Sequence, residues 1–323
     1  MRYSVRHVTR FDYEAPVVES VMEARMQPRS DGLQRCLHFV LTTSPPARVM
    51  TYLDHEGNGV HFFNIPARHA QLTVTADTVV ECTAPPALPE SLDAEGWAEL
   101  DAIGDSGEWW EYLAPSPFAH STPLLERFAL TVGLRRAGDP LAVLRRLMAQ
   151  MYALFEYRPQ TTRVDSPIDE ALEARRGVCQ DFAHIFIALA RPLGLPARYV
   201  SGYLFRGEGS HDRSTDGATH AWVEVLLPPL GWIGFDPTNN LTAGERHIRV
   251  AVGRDYADVP PTRGVYKGAT VVRSELAVAV QVGADVSPRG AAPVPFTPWM
   301  SRDVSTPMTV ADATADQDQQ QQQ

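Results

Sequence analysis

Cysteine is scarce in this chain: Cys36, Cys82 and Cys179 are the only three in 323 residues. An odd number at wide spacing supplies no disulfide framework, so reduced thiols in a cytoplasmic protein are the simplest expectation. Positive charge is also in deficit, with 29 Lys and Arg against 39 Asp and Glu and a formal net charge of −10. Nucleic acid and anionic membrane surfaces both require a basic patch, so neither is expected as a partner. No apolar run approaches the roughly 20 residues of a membrane span. The opening Met1-Arg2-Tyr3-Ser4-Val5-Arg6-His7 lacks the apolar core of a signal peptide. No internal repeat and no acidic loop with calcium-ligand spacing is found. His38, His55, His61 and His69 show no paired ligand spacing, so no metal and no cofactor are expected.

What is present divides into four stretches. Residues 1–88 carry short alternating runs, among them Val49–Leu53 and Val60–Ile65 around the turn cluster Asp54–Gly59, and predict an antiparallel β domain. Pro85, Pro86 and Pro89 break the chain before a connector of short helices and loops over 89–138. Its Trp97, Trp109, Trp110 and Tyr112 read as inter-domain packing rather than as a groove wall. Asp139-Pro140 is an N-cap followed by proline at the first helical position, opening a helix that ends before Pro159. A second folded core is expected over 139–284, C-terminal strands included, and a Gln-rich, disordered tail over 285–323.

Within that core, Gly177-Val178-Cys179 places a thiol at the first turn of a helix. Val178, Phe182, Ile185, Phe186, Leu189 and Leu193 form its apolar face, and Gly194 suits a left-handed cap. Free N–H groups and the helix dipole favour thiolate there. A glycine between two helices is expected to throw the thiol onto an exposed corner. A lone cysteine is nonetheless more often a small buried apolar group, so other residues must decide.

His220 and Asp236 are those residues. A nucleophile needs a neighbour to take its proton, and an imidazole needs a third group to fix its tautomer. His220 begins a strand that turns at Pro228–Gly231 and returns to Asp236. Same-face pairing requires opposed residue numbers to sum to an even value, which a plain four-residue connection at 228–231 would not give. A three- or five-residue connection or a bulge is therefore expected. His184 lies about 140° around the helix from Cys179, and His211 and His247 lie in polar loops. Asp181 would oppose a thiolate and is expected to point away. Gln180 or the Cys179 N–H is a candidate oxyanion donor. Trp222 is a candidate shield for the site, Tyr203 and Thr238 are weaker candidates of the same sort, and Gln180, Tyr203 and Trp222 are the candidates for substrate or oxyanion contact.

Four blocks, G-V-C-Q-D-F-A-H, G-L-P-A-R-Y-V-S-G-Y, T-H-A-W-V-E-V and G-W-I-G-F-D-P-T-N, together with R-V-A-V-G-R-D-Y-A-D-V-P-P, resemble the core of the bacterial transglutaminase-like superfamily. The likeness covers roughly residues 140–270, and the β-rich start resembles the domain that often precedes this core. It implies an α+β, papain-like core, with a cysteine-bearing helix packed on an antiparallel sheet. It further implies a Cys179–His220–Asp236 triad and acyl transfer through a thioester on a peptide or protein substrate. Cysteine peptidase or amidase is the leading expectation, glutamine γ-glutamyl transferase the second, and a non-catalytic peptide-binding module the third.

Overall fold

The computed structural model describes residues 1–92, 96–207, 209–214, 217–228, 230–268 and 274–284. The expectation of a disordered tail over 285–323 lies outside the described residues. Alternation in the first eighty residues becomes six strands: β1 (Arg2–Val17), β2 (Glu19–Ala24), β3 (Gln34–Ser44), β4 (Val49–Leu53), β5 (Gly59–Ile65) and β6 (His69–Cys82). In β1 the residues Tyr3, Val5, His7, Thr9, Phe11 and Tyr13 are all buried, one side of a strict two-residue period.

Helices α1 (Gly96–Ser106), α2 (Trp110–Leu113), α3 (Pro123–Thr131) and α4 (Pro140–Leu154) follow. Asp139 caps α4 as its sequence implies, Oδ1 accepting from the Ala142 N–H at 2.9 Å. Next come β7 (Glu156–Tyr157), α5 (Ile168–Ala174), β8 (Arg176–Gly177) and α6 (Cys179–Ala190). All twelve residues of α6 are buried, as befits a central helix covered on every side. A short 3-10 turn then ends at Gly194, whose φ of 76° needs the missing Cβ.

The remaining strands are β9 (Ala197–Leu204), β10 (His220–Leu227), β11 (Gly231–Asp236), β12 (Leu241–Thr242), β13 (His247–Gly253), β14 (Thr262–Lys267) and β15 (Ser274–Ala284). Five of them form the core sheet in the order β12-β11-β10-β9-β13. Ala221, Val223, Val225 and Leu227 of β10 share one hydrophobic cluster with α6 and the inner faces of α3, α4 and α5. Burying each such aliphatic or aromatic side chain contributes about 1.5–3 kcal/mol, which makes α6 the anchor of this unit.

The C-terminal strands do not belong where the sequence reading put them. β15 pairs with β1 from Tyr3 opposite Ala284 to Tyr13 opposite Ser274, and β14 pairs with β2. The first domain is thus a sandwich of two four-stranded sheets, β15-β1-β6-β3 and β14-β2-β5-β4. Phe11, Val17, Met22, Phe63, Leu72, Val74 and Leu276 fill the space between them. Alternation marks a strand but not its partner, and the partner here is more than 250 positions away in sequence.

Two amide side chains dock the core sheet on this sandwich. Gln34 accepts from the Arg249 N–H and donates to the Arg249 carbonyl, both at 2.8 Å. Asn58 does the same to Val252, at 2.9 and 2.8 Å. Both bind along β13, whose outer edge has no strand partner among the described residues, so the amides satisfy backbone groups that an edge strand leaves open.

Candidate active site

Cys179 begins α6 after an extended Val178. Arg175 closes α5 in the left-handed region at φ 53°, and the chain then runs parallel to β7, with Tyr157 opposite Gly177. A Cβ on Gly177 would sit 2.6 Å from Asp181 Oδ2, so glycine is what lets that carboxylate fold back over the helix start. Asp181 Oδ2 accepts from the Val178 N–H at 2.8 Å and from the Thr162 hydroxyl at 2.6 Å. It is committed to the helix start, as expected of a charge that would oppose a thiolate. Burial pushes its carboxyl up to about 6 against those two bonds.

The thiol is not on an exposed corner: Cys179 is 2% exposed. The loop before α5 encloses the helix start, with Thr162 bonded to Asp181 and Gln180 Nε2 donating to the Val164 carbonyl at 2.6 Å. Glycine spacing indicated where the helix begins but not what lies over it.

The hairpin has the required parity. Leu227 stands opposite Gly231, leaving the three-residue connection 228–230, and the ladder runs on to Val223 opposite Phe235. One step further sets Asp236 beside Trp222, on the face that also carries His220. His220 Nε2 meets Asp236 Oδ2 at 2.8 Å, with both residues buried. The Asp236 carboxylate has four further donors. Oδ2 also takes Asn239 Nδ2 at 2.8 Å and His247 Nε2 at 3.2 Å, and Oδ1 takes the N–H groups of Thr238 at 3.0 Å and Asn239 at 3.2 Å.

Burial works against charge on both partners, but their mutual attraction outweighs it. Asp236 is held well below the usual carboxylate range, chiefly by His220 and then by His247. His220 is raised above the ordinary imidazole value, by Asp236 first and then by Cys179. The other ring nitrogen, Nδ1, makes no hydrogen bond of ordinary geometry. With Nε2 engaged by Asp236, Nδ1 is the atom left to face the neighbouring thiol.

The weaker candidates separate. Trp222 is fully buried, stacks on His220 with centroids 6.0 Å apart and meets His247 edge-on at 5.2 Å. It walls the imidazole–carboxylate pair from water. The indole fits because Gly202 on β9, opposite His220, has no side chain: a Cβ there would lie 2.7 Å from the ring and 2.1 Å from the Ile248 carbonyl oxygen. Tyr203 turns elsewhere: its hydroxyl bonds His7 Nδ1 of β1 at 2.9 Å, tying core to sandwich. Thr238 contributes its backbone N–H to Asp236, and its hydroxyl has no partner. His184 accepts from the Tyr256 N–H at 3.2 Å and stacks on Phe118, a core histidine. Trp109 and Tyr112 pack edge-on against Trp232 at 5.5 and 5.2 Å.

Sequence reading missed Asn239 and His247. β13 begins at His247, two residues before the run the sequence marked, and extending its alternation backward would have found it. The side-chain ligand atoms of His220, Asp236 and His247 lie within 4.8 Å of one another, close enough for a metal ion. Hydrogen bonding assigns the group otherwise, because His247 Nδ1 takes the Gly244 N–H at 3.2 Å and leaves the proton on Nε2. Exposed His55 also lies 3.4 Å from Glu56 and 3.8 Å from Glu111, both half-buried. No helix of the described residues is long and apolar enough to cross a membrane.

Known proteins carry the same pattern. The family model of the transglutaminase-like superfamily matches residues 129–237, and that of the bacterial transglutaminase-like N-terminal region matches residues 3–81. An uncharacterized protein of Mycobacterium leprae is 37% identical over 270 residues, covering 83% of this chain and 94% of that protein. A protein-glutamine gamma-glutamyltransferase of Pseudomonas aeruginosa is 30% identical over 152 residues, covering 43% of this chain and 23% of that protein. Among solved structures, a candidate cysteine protease from Cytophaga hutchinsonii shares the fold at a TM-score of 0.68 and 20% identity, covering 94% of each chain. With both its sandwich and its cysteine-bearing core matched in sequence order, the chain belongs to the transglutaminase-like superfamily.

Proposed function

We propose that this protein is a thiol-dependent peptidase or amidase working through Cys179, His220 and Asp236. The observation that carries the reading is the His220 ring, fixed by Asp236 at Nε2 and free at Nδ1 beside a thiol on a helix N-terminus. Cys179 Sγ attacks the acyl carbon of a peptide or side-chain amide, and its proton passes to His220 Nδ1. The backbone N–H of Cys179, in the first turn of α6, is a donor for the developing oxyanion. Collapse of the tetrahedral adduct breaks the C–N bond. The imidazolium gives its proton to the leaving amine, and a thioester remains. Water, deprotonated by Nδ1, then releases the acid and restores the thiol.

An amine arriving in place of water would make the same site a glutamine γ-glutamyl transferase. The burial of Cys179 and His220, both 2% exposed, favours keeping this second reading, since transfer requires water to be excluded. The similarity to the Pseudomonas aeruginosa transferase over 152 residues points the same way.

Incubation with glutamine-containing and isopeptide-linked peptides, with and without a primary amine, separates the two. Cleavage without amine incorporation is the expected result, whereas incorporation would establish the transferase. Full activity in Cys179→Ala would end both readings.

A further inference from the structure

We infer that His247 is a positioning residue for this site, a neutral donor that clamps Asp236 and leaves the carboxylate's charge to the His220 imidazolium. The inference rests on the reading of Cys179, His220 and Asp236 as an acyl-transfer site.

Three observations carry it. His247 Nε2 and His220 Nε2 converge on the same carboxylate oxygen, at 3.2 and 2.8 Å. The Gly244 N–H donates to His247 Nδ1, so the His247 proton sits on Nε2 and faces Asp236. A second proton on His247 would break the Gly244 contact and place a buried cation beside His220 and Arg246. Burial first, and then those two positive neighbours, hold its pKa below the ordinary imidazole value although Asp236 pulls it up. Arg246 itself is engaged with Asp212 at 2.7 Å. A charged clamp would compete with His220 for Asp236, whereas a neutral one orients the carboxylate without neutralising it. The same tautomer opposes a metal ion, since a metal on Nε2 would need that proton displaced.

The placement is built rather than incidental. His247 is the first residue of β13 and is buried. Trp222 packs edge-on against its ring. Two residues on, the Gln34 amide of the sandwich grips Arg249 on both backbone atoms. Rotation of the imidazole away from Asp236 is opposed by the Trp222 ring and by the Gly244 N–H bond to Nδ1.

The test compares His247→Ala and His247→Gln with the unmodified protein. The glutamine Nε2 reproduces a donor near the position of the imidazole Nε2. His247→Ala is expected to lower kcat by about 10- to 100-fold with KM within about twofold, the loss of one hydrogen bond to a charged group. His247→Gln is expected to recover to within about fivefold of the unmodified kcat, since it restores that bond. Selective 15N-histidine spectra should show His247 with hydrogen on Nε2 at neutral pH, taking a second proton only below the ordinary imidazole range. Unchanged kcat in the alanine variant, a glutamine variant as impaired as alanine, or titration of His247 near neutral pH would each overturn the inference. Stoichiometric zinc binding that His247→Ala abolishes would overturn it too. If the unmodified protein cleaves no amide, the fault lies with the proposed reaction, and the 15N spectra still decide the state of His247.

Discussion

Replacing Asp236 with asparagine changes one atom and leaves the shape of the side chain intact. The carboxylate accepts five donors, three on Oδ2 from His220, His247 and Asn239, and two on Oδ1 from the Thr238 and Asn239 backbone. An amide has one accepting oxygen. If that oxygen takes the Oδ1 place, the NH2 group faces three N–H donors and drives His220 toward the tautomer that cannot take a proton from Cys179. If it takes the Oδ2 place, two backbone donors of the 236–239 turn face NH2 without an acceptor. At least two charge-assisted bonds go in either case, each worth about 1.5–3 kcal/mol, so a loss near 3–5 kcal/mol is expected in urea unfolding at pH 7. The catalytic loss should reach about 10³- to 10⁴-fold in kcat, as when a triad carboxylate becomes an amide that stabilises the wrong imidazole tautomer. The folded state holds Asp236 below its unfolded pKa, so its stabilisation is complete above about pH 4 and fades only in stronger acid. His220, raised in the folded state, contributes fully below about pH 6.5 and loses that contribution as pH rises through its folded value. Iodoacetamide alkylation of Cys179 across pH 5 to 9 reads the thiol–imidazole pair without any substrate. An unchanged alkylation profile together with stability within about 1 kcal/mol of the unmodified protein would refute this account of the carboxylate.

Asp181 behaves oppositely: its folded pKa of about 6 lies above the ordinary 3.8, so its contribution is complete below about pH 4 and is lost as pH rises through 6. Asp181→Asn stays neutral and its amide oxygen can take both existing bonds, so its stability advantage in urea unfolding should grow from pH 5 to pH 8, toward about 3 kcal/mol; no advantage at pH 8 would contradict this. Gly202→Ala drives a Cβ against the Ile248 carbonyl and the Trp222 indole and should cost at least about 3 kcal/mol, and a urea midpoint near the unmodified value would count against this packing. Tyr203→Phe strands buried His7 Nδ1 and should cost about 1–3 kcal/mol with kcat within about twofold. A tenfold fall in kcat at unchanged stability would instead put Tyr203 at the substrate.

What the sequence conveyed is the local part of this structure. Asp139-Pro140 gives the start of α4, Gly194 the end of the 3-10 turn that follows α6, and the parity of His220 and Asp236 an odd-length connection or a bulge, found as three residues. Each of these depends on residues within a few positions, where backbone preference and period speak directly. The parts it missed depend on distant partners. The run 276–282 alternates well, but nothing in alternation says that it lies against β1. The burial of Cys179 depends on Thr162 and Val164 arriving from an irregular loop. His247 looked like a loop residue because Arg246 and its polar neighbours hid the start of β13, and only the folded sheet brings it to Asp236.

The strand order of the sandwich has a consequence for how this protein is made and how it moves. Its sheets take strands from both extremities of the described chain, so the core unit around α6 is an insertion held by two covalent tethers rather than a bead on a string. Until β14 and β15 arrive, β1 and β2 each present an open edge, and the sandwich cannot close before the core has been synthesised. Two tethers, together with the Gln34 and Asn58 grips on β13, restrict the core to small rotations about the sandwich. Any such rotation acts first on the strand that carries His247. A change at the sandwich face, more than a hundred residues from the thiol in sequence, therefore bears on the strand whose His247 bonds the Asp236 carboxylate.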